Sequence, residues 1–499
     1  MNILISVTDK NGLDSFLKSI EDHIDDIYAT TGTVGYLSDH GIKCHDVSSV
    51  TGTGSLLDGR VKTLHPAIFA GILSRGTDKD NDVLTSHGYP SFDMVIANFY
   101  AFSDVSRSRD IERMVENIDI GGVSLVRAAA KNFSRVSVLT RKEHYIAVSS
   151  ELKSKGEISI SLRKKLATDA FLDVTKYDAE IFGSISDSLL PGEPHDTFLY
   201  GRFMKEMRYG ENPGQKAFLF GTGRSGIADS FQMCGKELSY NNYLDADSAY
   251  KAVFQFAEPA CVIVKHLTPC GASVSDNLDE AFRRAYDADQ ESAYGSVVAF
   301  NRTVDVKTAE QLSGKFVEVL VAPDLEGDAY NLLRKKKNLR ILKVKAPAGD
   351  EKEIRSISGG FLIQDQMDTN PGEMKCVSNK TASQNNIRDM IFAWKIAAFC
   401  KSNAIVIAKE GRTLGIGAGQ TSRVRALRIA ADLAGEECHG AVLASDGFFP
   451  FRDSIDVAYE NGIGAIVEPG GSIRDGEVIE AANQYGIALY FTGKRIFRH

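Results

Sequence analysis

Lys265 and His266 stand side by side at the end of the apolar run Val262-Ile263-Val264, with Leu267-Thr268-Pro269-Cys270-Gly271-Ala272 following. An imidazole exchanges protons near neutral pH, and a neighbouring ammonium steadies developing negative charge. The run is too short for a full helix and reads as a buried strand. Pro269 and Gly271 are expected to turn the chain there. That sets the pair at the C-terminal edge of a sheet, where α/β folds carry their sites. A strand end with two solvated polar residues fits the segment equally well.

A histidine ahead of Pro269-Cys270 also matches half of the zinc motif H-x-E…P-C-x-x-C. Thr268 stands where the acid is needed and Ser273 where the second Cys is needed, which argues against zinc. Other clusters lie at predicted element ends. Ser6-Val7-Thr8-Asp9-Lys10 and Thr30-Thr31-Gly32-Thr33 follow two strands. Their small side chains let backbone N–H groups approach a phosphate at a helix N-terminus, or serve simply as N-caps. Arg60, Lys62, Thr63 and His65 fall within a few residues, Asn98 and Tyr100 close another strand, and Asp119-Ile120-Gly121 opens a small-residue helix ending near Lys131. Further on, Arg208-Tyr209 precedes a sharp turn, and Arg is the bidentate reader of phosphate. Gly415 to Arg423 reads as a glycine-rich loop that lets backbone approach a flat ligand, or as a tight turn. The basic end, Arg495 to His499, reads as a pocket element or a frayed tail.

These groups need a frame of several domains, since 499 residues exceed one ordinary core. Hydrophobic residues make up 43% and charged ones 25%, the balance of a globular protein. The net charge of −8 argues against nucleic-acid and membrane partners, which reward basic surfaces. Seven scattered cysteines without a CxxC pair fit reduced thiols and a cytoplasmic location. The start, Met1 to Ser6, reads as a strand and not as a signal peptide. Strands at Ile3–Val7, Ile27–Thr30, Asp93–Ala97 and Val136–Leu139 alternate with helices, which predicts a parallel sheet. A helical stretch at Leu162–Ile181 precedes Leu190-Pro191-Gly192-Glu193-Pro194, taken as the domain joint. The later part repeats strand-and-helix units. A loose echo between the 262–266 and 404–423 regions suggests two related halves.

Eight segments in this order, Ser6–Gly12, Gly59–Pro66, Ile118–Asn132, Arg208–Pro213, Val264–Ala272, Gly415–Arg423, Ser445–Asp453 and Arg495–His499, resemble the bifunctional purine-biosynthesis family that joins a formyltransferase to an IMP cyclohydrolase. The match covers essentially the whole chain. The resemblance implies an α/β protein with a methylglyoxal-synthase-like parallel-sheet domain over 1–190, which closes the purine ring with loss of water. It implies a transformylase region over 195–499, built from two zinc-free cytidine-deaminase-like halves at about 195–360 and 361–499. That region would move formyl from the co-substrate 10-formyltetrahydrofolate to the 5-amino group of 5-aminoimidazole-4-carboxamide ribonucleotide. The implied partners are small molecules and a second copy, a homodimer with the transferase site at its interface. No tightly bound cofactor and no metal are implied; a monovalent cation is left open.

By motif, Ser6, Lys10, Gly32, Thr33 and Arg60 would hold phosphate and ribose in the cyclohydrolase. Lys62, Thr63, Asn98, Tyr100, Asp119, Gly121 and Lys131 would surround the base, with Lys62, Tyr100, Asp119 and Lys131 as the candidates for proton movement. In the transferase, Arg208, Tyr209, Arg423 and Arg495 would bind nucleotide. Asn403, Phe448 and His499 would complete the pocket, and Lys265 and His266 would catalyse. Gly214 stands where the family usually has His, and Thr31 where it has Gly, which leaves the shape of both turns open.

Overall fold

The computed structural model describes residues 1–100, 102–106, 110–347, 349 and 352–499. The chain divides into two compact units, Met1–Tyr200 and Gly201–His499.

In the first unit, β1 (Asn2–Ser6), β2 (Asp26–Ala29), β3 (His45–Asp46), β4 (Met94–Ala97) and β5 (Ser137–Leu139) form one sheet in the order β3-β2-β1-β4-β5, all parallel. Successive strand residues face opposite sides. Ile3, Leu4 and Ile5, and likewise Met94, Val95 and Ile96, are buried on both sides, so β1 and β4 read as unbroken apolar runs. Phe16 of the helix Leu13–Ser19 stacks on Tyr145 of the helix Lys142–Lys155, with centroids 4.5 Å apart. The expected helical stretch after residue 160 is one 30-residue helix, Ile160–Leu189, whose first turn is capped by Ser159. The strand order reverses between β1 and β4. A crevice opens at such a switch point, beyond the strand C-termini.

The strands of the second unit are β6 (Arg202–Met207), β7 (Ala217–Gly221), β8 (Phe231–Cys234), β9 (Ala260–Lys265), β10 (Thr268–Val274), β11 (Ser296–Phe300), β12 (Val317–Ala322), β13 (Arg340–Lys343), β14 (Lys352–Ile357), β15 (Gly360–Asp365), β16 (Lys375–Cys376), β17 (Ile405–Lys409), β18 (Arg412–Gly417), β19 (Val442–Ser445), β20 (Ala465–Glu468) and β21 (Ala488–Phe491). Among the described residues, β6-β7 and β14-β15 are separate hairpins, and the rest form a 12-stranded mixed sheet ordered β16-β21-β20-β19-β17-β18-β10-β9-β11-β12-β13-β8.

This order is a duplication. Each half runs from an edge strand through parallel neighbours to a hairpin, β9-β10 or β17-β18, and the hairpins meet antiparallel at the centre. Val262 and Val264 of β9 share one core with Val406 and Ala408 of β17, around the buried Trp394. Cys261 and Ile263 face a second core, and Ile405 and Ile407 a third.

Two sequence expectations are corrected here. Pro269-Cys270-Gly271 is not a turn but part of β10, and the chain reverses earlier, at His266-Leu267. Gly415 and Gly417 likewise belong to β18 and not to a loop. Their physical reason is close approach. A Cβ on Gly271 would lie 2.0 Å from the Ala285 carbonyl, and one on Gly415 2.0 Å from that of Ala430. The glycines let a helix press onto each hairpin at matching positions. The echo between halves is therefore real, but Lys265-His266 matches Lys409-Glu410 and not the stretch ending at Arg423.

Candidate active sites

At the switch point of the first unit lies a crevice of about 630 Å³. Ser6, Lys10, Gly32, Thr33, Arg60, Lys62, Thr63, Asn98, Tyr100, Asp119 and Gly121 all line it. Lys131 does not. It is the last residue of the helix Gly121–Lys131, whose first residue faces the crevice. At about 1.5 Å per residue, its backbone lies roughly 15 Å further along the axis.

Local structure explains the lining. Thr30 precedes the helix Thr31–Asp39 yet makes no side-chain cap, so the N-capping alternative fails at that residue and the helix dipole faces the crevice. Thr31, the departure from the family pattern, lies near Asp46 and helps to lower the pKa of that carboxyl. The Asn98 side-chain oxygen accepts the Thr8 N–H at 2.6 Å and the Asp9 N–H at 3.2 Å, while its amide donates to the Asp9 carbonyl at 2.7 Å. That amide shapes the Ser6–Lys10 turn and has little left for a base. His65 caps the helix Pro66–Leu73, accepting the Ala67 N–H at 3.2 Å. Arg60 pairs with Glu116.

Asp119 is the titratable centre. Its Oδ1 accepts the Gly122 N–H at 2.7 Å. A Cβ on Gly122 would stand 2.5 Å from Asp119 Oδ2, so a larger residue there would have to displace the carboxylate. Burial raises the Asp119 carboxyl above the usual range, against the pull of N–H bonds from Gly122 and Tyr100 and of the Lys62 charge. The Tyr177 hydroxyl, whose pKa burial pushes up to about 12, accepts the Asp119 N–H at 2.8 Å and donates to the Asn117 carbonyl at 3.2 Å. Sequence reading missed Tyr177, because it reaches the loop from a helix far along the chain.

In the second unit, Lys265 and His266 sit at the tip of the β9-β10 hairpin. Lys265 Nζ donates to the Tyr294 carbonyl at 2.8 Å. His266 and Leu267 both take positive φ, 53° and 65°. Cys270 is half-buried, and loss of solvent pushes its thiol pKa up to about 12. Arg208 lies over the Tyr209 ring at 5.4 Å. Their loop is fixed by Gly210 N–H to Gln215 O at 2.9 Å and by Asn212 N–H to Gln215 Oε1 at 2.7 Å. Gly214, the second departure, has φ of 91° in this turn, which disfavours the usual His.

A further cluster gathers Asn403, Arg423 and Arg495. Arg423 is buried and donates to Ser445 Oγ at 2.9 Å, to Asp446 and to Asn403 Oδ1 at 2.7 Å. Protein groups therefore hold the guanidinium that was expected to clamp phosphate. Arg495 lies over the Phe497 ring at 5.1 Å and is exposed, as is Phe448. His499 packs against Phe497, with ring centroids 6.1 Å apart. The terminal segment is not frayed: Ile496 N–H reaches Asp446 O at 3.0 Å, and Ser402 N–H reaches Arg498 O at 2.8 Å. The antiparallel steps β9-β10-β18-β17 bring the His266 tip, the end of β18 and the start of β17 to one sheet edge. Three strand spacings separate the His266 and Asn403 strands, roughly 14 Å.

A doubly wound sheet with a crevice lined by cations and a buried carboxyl, joined to a duplicated α/β unit bearing a Lys-His tip, defines a two-site α/β enzyme. The profile of the AICARFT/IMPCHase bienzyme family matches residues 129–433, and that of the MGS-like domain matches 12–124. A bifunctional purine biosynthesis protein PurH from Persephonella marina is 44% identical over 511 residues, covering 99% of each chain. Those of Desulfitobacterium hafniense (strain DSM 10664 / DCB-2) and Aquifex aeolicus are 44% and 43% identical over 514 residues, covering 99% and 100% of each chain. The chain belongs to the AICARFT/IMPCHase bienzyme family, which joins a formyltransferase to an IMP cyclohydrolase in purine biosynthesis.

Proposed function

We propose that the two activities reside in separate sites, formyl transfer at the Lys265-His266 tip and ring closure in the crevice of the first unit. The observation that carries this reading is that each unit has its own titratable groups at its own strand ends. In formyl transfer, the 5-amino group of 5-aminoimidazole-4-carboxamide ribonucleotide attacks the formyl carbon of 10-formyltetrahydrofolate. Its lone pair is delocalised into the ring, so a base must take the proton as the C–N bond forms. His266 fills that role. Lys265 stabilises the tetrahedral oxyanion. The bond to N10 then breaks, and N10 takes up a proton. Arg208, Tyr209, Asn403, Phe448, Arg495 and His499 supply the nucleotide pocket, with Arg423 bracing Asn403.

In ring closure the carboxamide nitrogen attacks the formyl carbon and water leaves. This is mostly positioning, with Lys62, Tyr100 and Asp119 moving protons. Ser6, Lys10, Gly32, Thr33 and Arg60 hold phosphate and ribose, and Thr63 and Gly121 border the base. Asn98 acts by shaping the phosphate turn. Lys131 has no place in its own chain's crevice.

The working form is a homodimer in the cytoplasm. Support comes from the two free-standing hairpins, which expose Phe203, Phe218 and Phe220 on one and Ile354, Phe361, Leu362 and Ile363 on the other. Isolated hairpins are marginal in water, and apolar faces of this kind mark contacts between chains. Incubating the enzyme with the nucleotide and 10-formyltetrahydrofolate tests the whole reading. Inosine monophosphate is expected; accumulation of the formylated nucleotide would leave the crevice without its assigned role.

A further inference from the structure

We infer that Asp245 is the positioning residue that fixes His266 for formyl transfer, by holding the backbone of the hairpin tip. The inference rests on His266 as the base. Asp245 lies on the helix Tyr240–Val253, and its Oδ1 accepts the Leu267 N–H at 2.7 Å. The neighbouring His266 N–H also favours the charge on this carboxylate, against the burial that raises its pKa. Ser248, one turn further along the same helix face, donates to the Leu267 carbonyl at 2.9 Å. One helix therefore grips the tip through both polar groups of Leu267.

The grip has work to perform. A two-residue hairpin tip with positive φ at both positions is normally built from Asn-Gly or Gly-Gly. Here the residues are His and Leu, each with a Cβ that disfavours this conformation. Position 266 must carry the imidazole, so the strain cannot be relieved there. Asp245 stabilises the strained form by accepting the Leu267 N–H that the tip turns toward the helix.

The second half of the unit supplies an internal control. Ser239, Asn242, Asp245, Lys265 and Gly271 match Ser383, Asn386, Asp389, Lys409 and Gly415 at constant spacing. Asp389, on the helix Gln384–Ala397, accepts the Glu410 N–H at 2.8 Å and the Gly411 N–H at 2.7 Å. Glu410 and Gly411 have φ of 54° and 71°. The same carboxylate grips the same kind of tip, but with glycine at the second position and no histidine.

The test compares Asp245→Ala, Asp245→Asn and Asp389→Ala in the full-length enzyme, with kcat and KM for formyl transfer, the rate of ring closure, and the thermal midpoint. Asp245→Ala is expected to lower kcat for transfer at least tenfold, with KM for both substrates within twofold and ring closure unchanged. Asp245→Asn, which keeps one acceptor, is expected to fall between it and wild type. Adding Leu267→Gly to Asp245→Ala is expected to recover at least threefold in kcat, since glycine accepts the positive φ that Leu267 resists. Asp389→Ala is expected to lower the midpoint but leave kcat within twofold. A kcat for Asp245→Ala within twofold of wild type, an equal loss in Asp389→Ala, or no rescue by Leu267→Gly would overturn the inference. His266→Ala separates the two layers. If it is inactive in transfer while Asp245→Ala is active, only the positioning role fails; if it is active, the assignment of the base fails.

Discussion

Arg423 donates from its guanidinium to the Asn403 side-chain oxygen at 2.7 Å, while its other arm meets Ser445 and the fully buried Asp446. The pocket amide is thus held by an arginine that is itself held by a carboxylate. Removing one partner of a buried ion pair leaves the other uncompensated, at a cost of about 3–5 kcal/mol. Arg423→Met is expected to lower the thermal midpoint of the second unit and raise KM for the nucleotide. Arg423→Lys keeps the charge but loses the fork, so stability should recover further than KM. Calorimetry with transfer kinetics checks both; an unchanged midpoint in Arg423→Met would contradict the pairing.

Glu468 gives a pH dependence of defined sign. It is fully buried at the end of β20, with Oε2 accepting the Phe449 N–H at 3.0 Å and Oε1 unpartnered. Burial pushes its pKa from 4.5 up to about 8, against the pull of the Phe449 and Gly470 N–H groups. The folded form therefore keeps a proton that the unfolded chain releases. Its stabilising effect is full below 4.5, falls as pH rises and is lost above about 8. Glu468→Gln is expected to raise the thermal midpoint more at pH 8 than at pH 5. Equal shifts at the two pH values would count against a buried neutral acid.

In the crevice, Asp119→Asn keeps the acceptor for the Gly122 N–H and removes the ionisable group. Loss of acid–base assistance typically costs about a hundredfold or more. Ring closure of the formylated nucleotide is expected to slow by that order, with formyl transfer unaffected. A loss below about threefold would remove Asp119 from proton movement.

Much of the fold is legible in local pattern. The runs at Ile3, Met94 and Val262 are strands because both faces are covered, and the helical stretch expected over Leu162–Ile181 lies within the helix Ile160–Leu189. Errors arose where a long-range contact decides. Gly271, Gly415 and Gly417 look like breakers, yet they are strand residues pressed by helices whose carbonyls leave no room for a Cβ. Asp119 and Lys131 look like neighbours, yet a straight helix carries them apart. Asp245 and Tyr177 were overlooked because each acts across the fold on a backbone group. The repeated Ser-x-Asn-Asn-x-x-Asp at 239–245 and 383–389 was a readable signal for the first of them.

The close approach at β18 is directly testable. A Cβ on Gly417 would lie 1.9 Å from the Ala426 carbonyl, and such overpacking costs about 1–3 kcal/mol. Gly417→Ala is expected to lower the stability of the second unit and the rate of formyl transfer, leaving ring closure intact. Wild-type stability would mean that the helix Arg423–Ala434 yields freely.

The central claim, two sites with separate chemistry, is tested most directly by His266→Ala assayed on both half-reactions. The account predicts loss of formyl transfer from 10-formyltetrahydrofolate, together with a wild-type rate of conversion of the preformed formylated nucleotide to inosine monophosphate. Retained formyl transfer, or loss of both reactions in a folded protein, would contradict it.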